Sequence, residues 1–172
     1  MRLPIHDVMT TFRKQAALVA ALALAASASF AAPQETAMNT QTATGPFDVK
    51  LNPEPASAAA EIAGLGRMSL DKAFHGPLEA TSRGEMIAFR SATPGSAGYV
   101  AMETVRGTLA GREGTFVLQH SSTMNRGAPV QSITVVPDSG TGALTGLAGH
   151  MVIDIGAGGA HSYRFEYTLP AR

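Results

Sequence analysis

The sequence predicts an all-β fold, an eight-stranded antiparallel β-barrel that follows an N-terminal signal segment. Three observations carry that expectation. Runs of strand character recur at regular intervals through the 172 residues. The connections "TPGSAG", "AGREG", "NRGAP", "PDSGTG" and "GAGGA" are short and carry the residues that tight turns require. The last run alternates strictly, with Tyr163, Phe165, Tyr167 and Leu169 against Ser162, Arg164, Glu166 and Thr168, the period of a sheet with one buried and one wet face.

Residues 1–31 read as an export signal. Arg13 and Lys14 precede the apolar, alanine-rich run "QAALVAALALAASASFAA", and Ser29 and Ala31 satisfy the small-x-small rule that places cleavage after Ala31, with Ala28 as the fallback. A membrane anchor would need a longer apolar run of about 20 residues. Met9 offers an alternative start. Residues 32–46 are small, polar and without period, as in a flexible tether, and residues 47–172 form the barrel domain.

Within that domain the expected strands are Phe47 to Leu51, Arg67 to Phe74, Gly84 to Ser91, Gly98 to Leu109, Thr115 to Ser122, Val130 to Val136, Met151 to Ile155 and His161 to Leu169. Between the first two, "PEPASAAAEIAGLGR" has helical character, limited by its prolines and glycines to about two turns at a barrel mouth. Successive antiparallel strands expose two edges unless the sheet closes, and closure at eight strands leaves an interior that side chains fill or that holds one small ligand. A two-sheet sandwich fits the same alternation.

Composition excludes several classes of function. Thirteen basic and thirteen acidic residues give a formal net charge of +0, which offers nothing to a nucleic acid. With Cys 0 there is neither a lipid-modified cysteine nor a disulfide, so a cleaved product has no membrane anchor and is stabilised by packing alone, in the periplasm or outside the cell. "SGTGALTGLAGH" lacks the lysine of a phosphate loop and precedes no helix. His75, His120, His150 and His161 lie on separate segments without metal-site spacing, so neither a metal nor any other cofactor is expected. Ser121 and Ser122 lack a nucleophile elbow.

The candidate catalytic pair is Glu103 and His120. Tyr99, Ala101, Glu103 and Val105 share one strand face, with Val100, Met102, Thr104 and Arg106 on the other; on the next strand Phe116, Leu118 and His120 share a face. A two-residue turn at Gly111 and Arg112 sets Val105 beside Leu118 and Glu103 beside His120, both pointing inward. Two readings follow: a couple able to move a proton, or a satisfied buried pair that fixes strand register. Tyr99, Met102, Phe116, Tyr163 and Phe165 are the candidate ligand-binding wall, joined by Met86 and Phe89, against the simpler reading that they are core. Arg90 could meet a carboxylate or remain solvated at a strand end.

The segments "GSAGYVAMETVRGTLAGREGTFVLQHSSTM" and "ITVVPDSGTGALTGLAGHMVI" resemble the bacterial family known as domain of unknown function 3224, over roughly Phe47 to Leu169. That family resembles the allene oxide cyclase barrels in fold, and "SGTGALTGLAG" is similar to a glycine-rich motif of dirigent proteins. The resemblance implies an eight-stranded antiparallel barrel and, because related barrels often associate, a homo-oligomer; it implies no activity. The leading expectation is an exported, soluble barrel that takes a small apolar molecule. Its rivals are a cyclase-like or isomerase-like enzyme using Glu103 and His120, and an oligomeric interaction module.

Overall fold

The structure is a computed structural model that describes residues 39–171; the leader and the Ala31 cleavage point lie outside the described residues. Eight strands run in chain order: β1 Gln41–Glu54, β2 Gly66–Phe74, β3 Leu78–Arg90, β4 Ala97–Leu109, β5 Arg112–Asn125, β6 Ala128–Val135, β7 Ala148–Ile155 and β8 His161–Thr168. Each pairs antiparallel with the next, and β8 returns to β1, so the sheet closes into a barrel rather than a sandwich. One short helix, α1 Ala58–Ile62, joins β1 to β2. Ser57 starts it by accepting a hydrogen bond from the Ala60 amide, a cap that satisfies one of the free donors of the first turn. The helix buries nothing, and Ile62 is 90% exposed.

The alternation predicted for the last strand holds. Tyr163, Phe165, Tyr167 and Leu169 are all buried. Phe165 stacks between Phe116 and Tyr167 at centroid separations of 5.8 and 5.2 Å, and Phe74 meets Tyr163 edge-on at 5.6 Å. Burial of each such side chain contributes about 1.5–3 kcal/mol. The "SGTGALTGLAG" segment plugs one end of the barrel: it carries a 3-10 turn, Gly142–Leu144, and inserts Leu144 and Leu147 into the core. Gly114 makes room for it, because a Cβ there would run into the Thr141 carbonyl and the Leu144 side chain. Arg112 fastens the plug from outside through the carbonyls of Ala143 and Pro170.

The two largest differences from the expected strand boundaries have a shared reason. β1 begins at Gln41, so the last residues of the expected tether belong to the barrel and pair with β8. β3 begins at Leu78 rather than Gly84. Apart from Leu78, the inward positions of these stretches are small: Ala43 and Gly45 in β1, Ala80, Ser82 and Gly84 in β3. Ala43 stands opposite Phe165 and Gly45 opposite Tyr163. Small residues facing rings fill a barrel efficiently, yet they produce no apolar alternation in the sequence.

The β4–β5 register also differs. The turn is Ala110 and Gly111, with φ of 49° and 74°, rather than Gly111 and Arg112. Two successive positive φ values are what the favoured two-residue hairpin demands, and Gly111 accepts the second without strain. Val105 therefore pairs with Phe116, Glu103 with Leu118, and Ala101 with His120. A shift of two residues leaves every side chain on its predicted face.

The weakest seam is β6 to β7, where the ladder holds the single pair Thr134 and His150. The side chain of Gln131 accepts from the Ile153 amide at 3.2 Å where a further ladder bond would stand.

Candidate functional site

Above the aromatic layer the inward rows turn polar. Lys72 from β2, Ser82 from β3, Glu103 from β4 and His120 from β5 converge, each at most 8% exposed. Their order follows from the pleat: β2 reads Met68, Leu70, Lys72, Phe74 on its inward row, and β3 reads Ser82, Gly84, Met86. Gly84 stands opposite Glu103, and the two backbones approach so closely there that a Cβ on Gly84 would lie 2.6 Å from Glu103 Cα. The missing side chain lets the carboxylate lie across β3 toward β2.

Glu103 is the hub. Its Oε1 accepts from Lys72 Nζ at 2.7 Å and from His120 Nε2 at 2.8 Å, and its Oε2 accepts from Ser82 Oγ at 2.6 Å. The Lys72 ammonium also lies 5.6 and 5.8 Å from the ring centroids of Phe47 and Phe74, where the ring faces attract a cation. No buried polar side-chain atom among the described residues is left without a partner. The predicted pair thus comes together, diagonally rather than side by side, and two residues join it that sequence reasoning did not single out. Lys72 was visible as one cation in an apolar inward row; Ser82 lay in the stretch of β3 whose strand character was hidden.

Burial alone would push the Glu103 carboxyl up, but the hydrogen bond from His120 and the charge of Lys72 outweigh it and hold the group at about 2, below its ordinary 4.5. The folded value lies below the unfolded one. The stabilisation is therefore fully present above about pH 4.5 and is lost as pH falls through about 2. The difference corresponds to about 3 kcal/mol. A carboxylate held this low, with both oxygens occupied, is a poor general base near neutral pH. Glu103 and His120 line neither of the two cavities described next. The geometry favours the register-fixing reading of the pair.

The larger concavity, about 630 Å³, lies against the outer face of β1 to β4 among Asp48, Lys50, Asp71, Arg83 and Arg106. Lys72 and Ser82 of the buried cluster also border it, its other charged side chains face solvent, and Arg83 is already paired with Asp71 at 3.0 Å. The other, about 520 Å³, opens at the barrel mouth above the buried cluster. Met68, Met86, Ala88, Tyr99, Ser122 and Met124 wall it. Met68 and Met86 face each other across β2 and β3, and Tyr99 stands opposite Ser122.

The predicted ligand wall divides accordingly. Tyr99 lines the mouth cavity. Phe116, Tyr163 and Phe165 are at most 2% exposed in the packed interior and border no opening there. The Tyr163 hydroxyl is committed, donating to the His75 carbonyl and accepting from the Leu78 amide. Met102 is a correction: it is 53% exposed on the barrel exterior, as the opposite parity from Tyr99 dictates.

The family described as protein of unknown function (DUF3224) matches residues 43–167. A solved crystal structure of a protein of unknown function from that family, from Shewanella oneidensis MR-1, is 51% identical to this chain, with a TM-score of 0.71, and the alignment covers 77% of this chain and 100% of that one. No curated protein matches.

Proposed function

The chain belongs to the DUF3224 family, and from that premise we propose that it is an exported barrel protein that binds a small apolar molecule in its mouth. The observation that carries this reading is the contrast along the barrel axis. Below the Glu103 cluster the interior is filled by Phe74, Phe116, Phe165 and Leu118, all at most 1% exposed, and offers no room. Above it, sulfur and ring surfaces border a cavity of about 520 Å³, within the size range of small-molecule sites. Methionine suits such a wall because its unbranched thioether adapts to irregular ligands. The leader through Ala31 supports export.

A neutral fluorophore, N-phenylnaphthylamine, tests the site. Saturable fluorescence enhancement is expected with the wild type, and its loss is expected in Ala88→Trp, whose indole fills the cavity. Equal enhancement by both proteins, or none by the wild type, contradicts the reading.

A further inference from the structure

Resting on the mouth cavity as the binding site, we infer that its ligand is an apolar organic anion whose headgroup is held by Arg90. The inward rows above the Glu103 cluster can be followed strand by strand. They are Val49, Leu51 and Pro53 in β1; Gly66 and Met68 in β2; Met86, Ala88 and Arg90 in β3; Ala97 and Tyr99 in β4; and Ser122 and Met124 in β5. On the far side they are Pro129 and Gln131 in β6, Ile153 and Ile155 in β7, and His161 in β8. These rows hold no carboxylate. Arg90 is their one permanently charged group.

The other charged residue that borders the cavity, Arg67, and Glu54 opposite it stand on outward rows and are engaged. Arg67, although it borders the cavity, is outward-facing on β2 and forms a two-point pair with Glu85 on the outer face of β3. Glu54 accepts from Ser69 at 2.7 Å. Among the described residues the Arg90 guanidinium makes no hydrogen bond or ion pair, although it too borders the cavity. The mouth therefore presents apolar walls bordered by the unpaired Arg90 guanidinium. A guanidinium offers a planar fork of donors matched to carboxylate, sulfonate or phosphate oxygens, so the complementary molecule has an apolar body and an anionic end. The Tyr99 and Ser122 hydroxyls add neutral polar contacts on the adjoining strands β4 and β5.

Two probes of one skeleton separate this from simple apolar capture: neutral N-phenylnaphthylamine and its sulfonated counterpart, anilinonaphthalene sulfonate. The wild type is expected to bind the sulfonate about 10-fold more tightly than Arg90→Gln does, the size of one charge-assisted hydrogen bond, while both proteins bind the neutral probe equally. Added salt is expected to weaken the sulfonate alone. Equal sulfonate affinity in the two proteins overturns the role of Arg90 and leaves the cavity standing as a neutral site. Binding of neither probe by the wild type removes the site itself, and this inference with it. Matching thermal melts of the two proteins confirm that the comparison is between folded barrels.

Discussion

Replacing Glu103 by alanine is expected to lower folding stability by about 3–5 kcal/mol, because it strands the Lys72 ammonium in the barrel without its counter-charge. Lys72 is 8% exposed, and among the described residues its one anionic partner is Glu103, 2.7 Å away. Glu103→Gln keeps the shape and an acceptor for His120 but leaves the lysine charge uncompensated, so it is expected to be nearly as damaging. The joint replacement Lys72→Met, Ser82→Ala, Glu103→Leu and His120→Leu removes every polar group at once and is expected to restore most of the loss, since apolar residues of similar volume commonly substitute for buried ion pairs without penalty. Urea unfolding of the three variants against the wild type measures this. A Glu103→Ala barrel within about 1 kcal/mol of wild type would mean that the cluster is solvated.

Gly84→Val is expected to be nearly as severe, about 3 kcal/mol, for a steric rather than an electrostatic reason. Any Cβ at this position meets the Met102 carbonyl oxygen and lies 2.6 and 2.7 Å from Glu103 Cα and Cβ. Relief requires β3 and β4 to part at the point where Glu103 reaches across. Gly66→Ala, also on an inward row, is the matched control: the nearest atom to its Cβ would be the Ala88 carbonyl oxygen at 3.8 Å, an ordinary contact. It is expected to be neutral or slightly stabilising, because a glycine in a strand loses more backbone freedom on folding than alanine does. A thermal shift no larger for Gly84→Val than for Gly66→Ala would contradict the close packing that positions the carboxylate.

How far the sequence reveals this molecule depends on the size of the residues that point inward. β8 declares itself because its inward row is Tyr163, Phe165 and Tyr167. The start of β1 and the first half of β3 are silent because most of their inward residues are alanine, serine and glycine, which the pattern of a loop also uses. Alternation also found the inward face of Glu103 and His120, since parity survives a shift of two residues. The identity of their partners did not follow. It depends on the register of β2 against β3 and β3 against β4, which brings Lys72 to Glu103 across 31 positions of sequence. A lysine in the row Met68, Leu70, Lys72, Phe74 demands an inward anion. The strand order supplies it. Met102 shows the reverse error, in which a large apolar side chain was grouped with the cavity against its own parity.

The central claim is that Glu103 is an ionised hub with both carboxylate oxygens engaged, which leaves the mouth above it as the proposed ligand site. Carbon-13 NMR titration of the Glu103 side-chain carboxyl in the folded protein tests this most directly. A midpoint at about 2 is predicted, with the group charged throughout the neutral range. A midpoint at or above the ordinary 4.5 would contradict the account and return the carboxyl to the role of a poised proton acceptor.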